Sequence, residues 1–455
     1  MASRPRNTAV FNEFICTRCG ECFHRCPELQ LPLEIAKQEI DSLIEGKESK
    51  YVLWHCTTCF SCNLYCPEDC KPYQLILERW NDLYKQRGAP PIYRFVCPTM
   101  KNNIWQMLYA LMLPEEITLV NKWMKQEPKG NVLLICNYLH LLPFVYGNSK
   151  LLDYFTPIDP LDHWEAGAYL YQGGYLDVVK AIAEQCKEDY DRWKVEKVVP
   201  ALDAVHWVLT NVHPLEMGVK HDQEIVNFHD WLLTRIEEGE FSLTEKLGMK
   251  VTVHDNCYSK AGGGKYWDTP RVILERAGCE IVEMKHIREN ALCCGFGAGA
   301  SWEDPRKIVF SIMATARRKF QEAEATGAGT LITYCGGCLY LLWAARELFG
   351  SKLDIYHIIE IIRKSAGETI NYPAPHERRA WDLITIITYH LAMSLFQKPF
   401  WISKTSLGRE GWKDHRYVGL KFLRKLFDVT PVRVIYKKVF LVMLSKMVTP
   451  KKRLS

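Results

Sequence analysis

Between His254 and Cys338 five of the six cysteines fall in three short motifs: His254-Asp255-Asn256-Cys257, then Cys293-Cys294-Gly295, then Cys335-Gly336-Gly337-Cys338. Five thiols drawn from three loops suit a soft metal centre, because thiolates select iron-sulfur clusters, zinc or cuprous copper over hard cations. The adjacent pair Cys293-Cys294 narrows the choice. Successive side chains diverge unless the backbone is bent, so two neighbours are awkward ligands for one tetrahedral zinc, whereas a centre with several irons accepts both.

A second group lies nearer the start of the chain. Cys16-x2-Cys19-x2-Cys22-x3-Cys26-Pro27 is repeated as Cys56-x2-Cys59-x2-Cys62-x3-Cys66-Pro67. This is the spacing of bacterial ferredoxins, in which the fourth cysteine of each run serves the other cluster. It assigns Cys16, Cys19, Cys22 and Cys66 to one 4Fe-4S cluster, and Cys56, Cys59, Cys62 and Cys26 to a second. A pair of zinc knuckles is the competing reading, but zinc needs neither this spacing nor a proline after both runs. Between the runs Leu33, Ile35, Ala36, Ile40, Leu43 and Ile44 recur at helical spacing and stop near Gly46. Such a helical spacer resembles the α-helical ferredoxin module of succinate dehydrogenase, which passes single electrons and does no bond chemistry. Cys70 and Cys97 read as small buried hydrophobes.

The C-terminal set resembles the cysteine-rich CCG domain of the heterodisulfide reductase family. The matching segments are His254-Asp255-Asn256-Cys257, Arg288 to Gly295, Glu322 to Thr333 and Cys335-Gly336-Gly337-Cys338, and the likeness spans roughly residues 8 to 368. It implies that Cys257, Cys293, Cys294, Cys335 and Cys338 hold one further, non-standard 4Fe-4S cluster, at which a disulfide is cleaved. His254 or the Arg288-Glu289 pair is then a candidate to handle the thiol proton, with support of the ligands as the alternative role. The implied function is that of an iron-sulfur catalytic subunit that reduces or oxidises a disulfide or thiol substrate. Its electrons would pass through the two ferredoxin-type clusters, exchanged with a quinol-linked cytochrome b-type membrane subunit. Two rivals are an electron relay with no disulfide substrate and a scaffold without turnover. An open pocket beside Cys293-Cys294 favours the enzyme; a fully buried centre favours the relay.

Bringing these loops together requires an α/β framework. Val132-Leu133-Leu134-Ile135 is a buried-strand run ending at Cys136, followed by Asp162 to Gly167 and by Val198 to Ala204. The same order recurs in Val251 to Cys257, Cys293 to Gly295 and Leu331 to Cys338, which reads as an internal duplication. The first copy keeps Cys136 but has Glu165-Ala166 where the cysteine pair would fall, and no Cys-x-x-Cys near Pro200, so it is a structural half. His163 and His206 are read there as core or surface residues. In the second copy Asp304-Pro305 opens a helix whose buried face is Ile308, Val309, Ile312, Met313, Ala316, Phe320 and Ala323, ending at Gly327. The strand after it delivers Cys335 and Cys338 at its carboxyl end, the usual place for ligands in such sheets. Gly295, Gly297, Gly299, Gly336 and Gly337 would let backbone amides approach the sulfurs. Neither Gly295-x-Gly297-x-Gly299 nor Gly262-Gly263-Gly264 has the spacing of a dinucleotide loop.

The expected fold is an α+β multidomain chain. Residues 1–100 form the α-helical ferredoxin domain, 101–245 the degenerate α/β half-domain, 246–370 the intact half-domain, and 371–455 a basic amphipathic helical tail. A composition of 48% hydrophobic and 24% charged residues over 455 positions is that of a folded globular protein. Eighteen cysteines grouped at short spacings, without a signal peptide, point to a reducing cytoplasm rather than a secreted disulfide scaffold. Nothing calls for a nucleic-acid partner, and no run of apolar residues is long enough to span a bilayer. Charge is uneven: from Glu377 onward 17 Lys and Arg face 5 Asp and Glu (+12), while the remainder carries 41 against 48 (−7). The tail is therefore expected to dock on the cytoplasmic face of a membrane as a peripheral surface, with Trp381 to Phe396 against the membrane or a partner. Tyr417, Leu420, Leu423 and Phe427 would line one helical face beside Lys421, Arg424 and Lys425. Ile435, Val439, Val442 and Met443 would line the next, with Lys437, Lys438 and Lys446.

Overall fold

The cysteine runs near the start of the chain leave little room for sheet, since each ligand-rich loop must turn sharply around a common point. A computed structural model describes residues 10–97, 100, 102–160, 165–297, 305–402 and 416–447. In the first of these, helical turns at Glu21–His24, Val52–His55 and Ser61–Tyr65 alternate with bent loops, held by α1 (Leu33–Ile44) and α2 (Pro72–Arg87). Both runs bend alike: Arg18 and Thr58 have φ of 56° and 54°, and Gly20 and Phe60 have 76° and 63°. Gly20 also needs its missing side chain, because a Cβ there would lie 2.7 Å from the Lys37 backbone nitrogen on α1. α1 buries Ala36, Ile40 and Leu43 as its periodicity requires. Its buried Glu39 accepts from Ser49 Oγ (2.5 Å), Lys50 N (2.9 Å) and Val52 N (2.8 Å), fixing the approach to the second run.

Two parallel sheets follow. The first comprises β1 (Asn131–Leu134), β2 (Thr156–Ile158), β3 (Lys197–Pro200) and β4 (Glu224–Ile225), in the order β2-β1-β3-β4. The second comprises β5 (Lys250–His254), β6 (Glu280–Ile281), β7 (Thr330–Thr333) and β8 (Asp354–His357), in the order β6-β5-β7-β8. The two orders are the same once the strands are counted within each sheet. Parallel strands covered on both faces carry continuous apolar runs, and Val132, Leu133, Val198, Val199, Val251, Val253, Leu331 and Ile332 are all buried. His254 pairs with Thr333, so the segments leaving β5 and β7 emerge side by side at the carboxyl edge. Those segments enter α3 (Cys257–Gly262) and α5 (Gly336–Phe349), while α4 (Pro305–Ala325) is the crossover between β6 and β7. Ile308, Met313, Ala316, Phe320 and Ala323 of α4 are buried, as its spacing predicts.

Helix α6 (His376–Ser394) departs from expectation. Rather than resting on a membrane or a second protein, it packs along α5 of its own chain, burying Trp381, Leu383, Ile384 and Ile386 and stacking His376 on Trp343 at 4.4 Å. Helix α7 (Val418–Leu426) is keyed to it by charge: Arg424, read from sequence as a surface cation, is buried and donates to Asp382 (2.5 Å). Asp382 also faces Arg379, which reaches Glu116 at 2.6 Å. Helix α8 (Thr430–Met447) packs through Tyr436, Phe440 and Leu444, with Phe440 stacked on Phe310 of α4 at 5.2 Å. The expected stripe lies on its other side, where Ile435, Val439 and Val442 are 62%, 53% and 52% exposed. Among the described residues no helix is long and apolar enough to cross a membrane.

The ion pairs of α6 generate a prediction. Replacing Asp382 by Ala leaves Arg424 and Arg379 short of a buried carboxylate, and should lower the unfolding free energy by about 3 kcal/mol in urea titration. Replacement of the exposed Ile435 by Ala should leave it within about 0.5 kcal/mol.

Candidate metal centres

The N-terminal cysteines gather at two places. Cys16, Cys19, Cys22 and Cys66 line one cavity, and Cys26, Cys56, Cys59 and Cys62 sit within electrostatic reach of one another. Cys70 reads from sequence as no more than a small core residue, yet it backs the first group: it is 1% exposed, its thiol meets those of Cys16 and Cys66, and its N–H donates to Cys66 Sγ at 3.3 Å. Cys97 is buried elsewhere, near Arg94.

The five C-terminal thiols converge at the carboxyl edge of the second sheet. Cys257 opens α3, Cys335 precedes α5, and Cys338 lies in the first turn of α5, whose N-terminal dipole favours negative charge. Cys294 Sγ is 3.3 Å from Cys338 Sγ, and these two with a ring nitrogen of His254 lie within 4.8 Å of one another. Cys293 lies beside Cys294, its thiol within hydrogen-bonding reach of the Cys294 thiol and its Sγ 3.9 Å from the Thr57 carbonyl in the second N-terminal run. The adjacent pair sits on a bend. That bend requires glycine at 295, where φ is 101° and a Cβ would lie 2.4 Å from Ile312 O. The N–H groups of Gly295 and Phe296 donate to Cys293 and Cys294 sulfurs at 3.3 and 3.5 Å. Gly297 serves a different purpose: a Cβ there would lie 2.2 Å from Thr58 Oγ1, so its absence lets the two thiol-bearing loops touch. Gly337 has no such need, its nearest Cβ contact being Phe296 at 3.8 Å, and Gly299 lies outside the described residues.

Asp255 fixes the arrangement. Its carboxylate accepts from Arg271 Nη1 (2.8 Å) and Nη2 (2.9 Å), from the Tyr334 hydroxyl (2.8 Å) and from the Arg288 N–H (2.7 Å). Burial opposes its ionisation, but these donors hold the carboxyl below the usual carboxylate range. His254, its neighbour, is fully buried, and burial pushes its pKa down. The Arg288-Glu289 pair, the other proton-handling candidate, is directed elsewhere. Arg288 reaches Asp268 at 3.0 Å, and Glu289 is exposed beside Asn290.

Sequence reasoning missed two polar side chains at this centre. Gln172 Nε2 donates to Cys257 Sγ at 3.1 Å and also meets Thr58 O at 3.3 Å. Lys260, buried one turn after Cys257, donates to Ser61 Oγ (3.0 Å) and Ala291 O (2.8 Å). Its position one helical turn from a ligand candidate was the available signal; for Gln172 there was none. In the first half, Cys136, Glu165 and Ala166 have positive φ of 67°, 56° and 53°, and Cys136 is the thiol at that place, Cys186 lying on a separate helix. His206 is occupied by the Tyr266 hydroxyl at 2.6 Å, and His163 lies outside the described residues.

The donor sets suit iron-sulfur clusters. Burial pushes the thiols of Cys26 and Cys257 up to about 12, so they would stay protonated at neutral pH without cations to compensate them, which metal-bound thiolates have. Cys293, Cys294 and Cys338 are buried, while Cys257 and Cys335 are half-buried.

A family model described as a cysteine-rich (CCG) domain matches residues 251–342, and one described as a 4Fe-4S dicluster domain matches residues 8–67. One subunit of the dihydromethanophenazine:CoB--CoM heterodisulfide reductase of Methanosarcina acetivorans is 22% identical over 78% of this chain and 94% of its own length. The probable iron-sulfur-binding oxidoreductase FadF of Bacillus subtilis is 24% identical over 71% of this chain, and the match spans 48% of its length. A probable membrane-anchored ferredoxin of Chromohalobacter salexigens is 21% identical over 80% of this chain and 62% of its own.

Replacing Asp255 by Ala should destabilise the protein by about 3 kcal/mol at neutral pH, because Arg271 is left buried with Glu283 as its remaining carboxylate. The contribution of a carboxyl with a depressed folded pKa is complete above the ordinary value of about 4 and fades as pH falls through the depressed one. Denaturant titrations should therefore show the gap between wild type and variant narrowing in acid.

Proposed function

Because this chain is homologous to a heterodisulfide reductase subunit and to related iron-sulfur oxidoreductases, we propose that it is the disulfide-active subunit of a membrane-associated redox complex. The observation that carries this reading is the meeting of the five-thiol centre with the second N-terminal group. Thr58 Oγ1 donates to Gly297 O at 3.3 Å, and Cys293 lies against Thr57. Electrons entering through Cys16, Cys19, Cys22 and Cys66 would pass to Cys26, Cys56, Cys59 and Cys62, and then to Cys257, Cys293, Cys294, Cys335 and Cys338.

The proposed reaction splits one S–S bond with two electrons and two protons to give two thiols, or runs in reverse. A cluster held by five thiols would supply the one-electron steps. Within the protein, Gln172 and the Gly295 and Phe296 N–H groups orient the sulfurs, and His254 beside Cys294 is placed to exchange a thiol proton. Half-buried Cys257 and Cys335 mark the side from which a substrate would approach. The burial of Cys293 and Cys294 favours the second reading, a relay that passes electrons onward without a disulfide of its own. The common strand order of the two sheets supports descent of the halves from one duplicated unit, the first having lost its cluster.

We further infer that the outer face of α7 and α8 meets a membrane cytochrome subunit at the cytoplasmic surface. Val418, Phe422, Ile435, Val439 and Val442 are exposed there among Lys421, Lys425 and Lys438. Such basic, apolar helical faces bind anionic membrane interfaces.

Three experiments test these readings. Anaerobically prepared protein should hold about twelve irons per chain in three clusters. Cys294→Ser should abolish thiol-disulfide turnover while the ferredoxin-type signals of the N-terminal clusters persist. One zinc with about eight irons would identify the His254-Cys294-Cys338 group as a zinc site, and wild-type protein that passes electrons but cleaves no disulfide would establish the relay. The triple substitution Ile435→Asp, Val439→Asp and Val442→Asp should move the protein from the membrane to the soluble fraction with its iron intact. Continued sedimentation with membranes would put the docking surface elsewhere.

A further inference from the structure

Lys260 has no role in the thiol arrangement as a ligand, yet it is 1% exposed and surrounded by candidate ligands. Its ammonium donates to Ser61 Oγ at 3.0 Å, and Cys59 Sγ lies 3.3 Å from that same oxygen. Its second partner is Ala291 O at 2.8 Å, two residues before Cys293. On its own helix it follows Cys257 by three residues. One buried charge thus stands between the second N-terminal group and the five-thiol centre.

A buried ammonium is strongly unfavourable unless negative charge offsets it. Both hydrogen-bond acceptors of Lys260 are neutral oxygens. The other buried lysine of this region, Lys319, is matched by Glu322 at 3.2 Å, so its charge is cancelled locally. For Lys260 burial would favour the neutral amine, but nearby negative charge, from the sulfurs of Cys59, Cys293 and Cys257 as metal-bound thiolates and from the Glu28 carboxylate, outweighs it and holds the ammonium above its usual pKa. The charge is buried, shielded from salt, and offset by the sulfur groups on either side together with Glu28.

We propose that Lys260 is an electrostatic coupling residue that raises the reduction potentials of the second N-terminal cluster and of the five-thiol centre together, keeping the step between them nearly level. An added electron on either side is stabilised by the same cation. At about 10 Å and an effective dielectric of about 20, a unit charge shifts a one-electron equilibrium by roughly tenfold. The first N-terminal cluster, assigned to Cys16, Cys19, Cys22 and Cys66, is the internal reference, since the hydrogen bonds of Lys260 run to the loops of Cys59 and Cys293. The proposal rests on iron-sulfur occupancy of the two groups and not on disulfide turnover.

The test is an EPR-monitored redox titration of full-length, anaerobically prepared protein with Lys260→Met and Lys260→Arg. In the Met variant the reduced-to-oxidised ratio at fixed potential should fall about tenfold at both sites, a downward shift of about 59 mV for a one-electron couple. The first cluster should not move, and the Arg variant should stay close to wild type. Unchanged midpoints in the Met variant, an equal shift of all clusters, or the same shift in the Arg variant would overturn the proposal. Should the Met variant be iron-poor, full iron in the Arg variant supports the requirement for charge, and iron loss in both variants overturns it.

Discussion

One buried carboxylate holds three ligand-bearing segments in one place. Asp255 sits at the end of β5 and takes hydrogen bonds from Tyr334 at the end of β7, from the Arg288 N–H on the loop leading to Cys293, and from Arg271. Each donor belongs to a different stretch of chain, so the carboxylate sets the distances among Cys257, Cys293-Cys294 and Cys335. A carboxylate this deep is tolerable only with its acceptor capacity filled. Side chains alternate across an extended strand, so while Asp255 turns to Arg271, His254 is free to turn to Cys294 and Cys338.

The same logic of buried charge governs the contact between modules. Thirteen candidate thiols lie buried or half-buried in three groups, and the surroundings answer them with N–H groups, the Gln172 amide and the Lys260 ammonium. The loops that carry Thr57-Thr58 and Gly295-Phe296-Gly297 touch only because residue 297 has no side chain. The proposed electron route between the groups depends on such proximity, which a missing methyl group permits. The first half shares the strand order of the second, with Glu165-Ala166 at positive φ and no adjacent cysteine pair.

The C-terminal segment divides its apolar surface in two. On α8 the stripe Tyr436, Phe440 and Leu444 packs against α4 and α6, whereas Ile435, Val439 and Val442 face outward. A helix apolar on opposite sides is suited to sit between its own body and something else. The basic residues are divided likewise: Arg424 and Arg379 are spent on Asp382 and Glu116 inside the fold, and Lys421 and Lys438 remain at the surface.

Cysteine spacing alone pointed to both N-terminal groups, with Cys26 and Cys66 exchanged, and to the five-thiol set, because ligand spacing is local and a cluster tolerates few alternatives. Apolar runs such as Val132 to Ile135 and the period of α4 likewise announced their elements. Tertiary structure decided what depends on neighbours distant in sequence. It placed α6 in the core rather than on a membrane, since an apolar helix pattern cannot say which surface will cover it. It turned Arg424 inward, because a cation's partner is invisible until the fold supplies Asp382. It put Lys260, Gln172 and Gly297 at the meeting of the modules, for a lysine, a glutamine and a glycine acquire such roles only when separate loops come within hydrogen-bond reach.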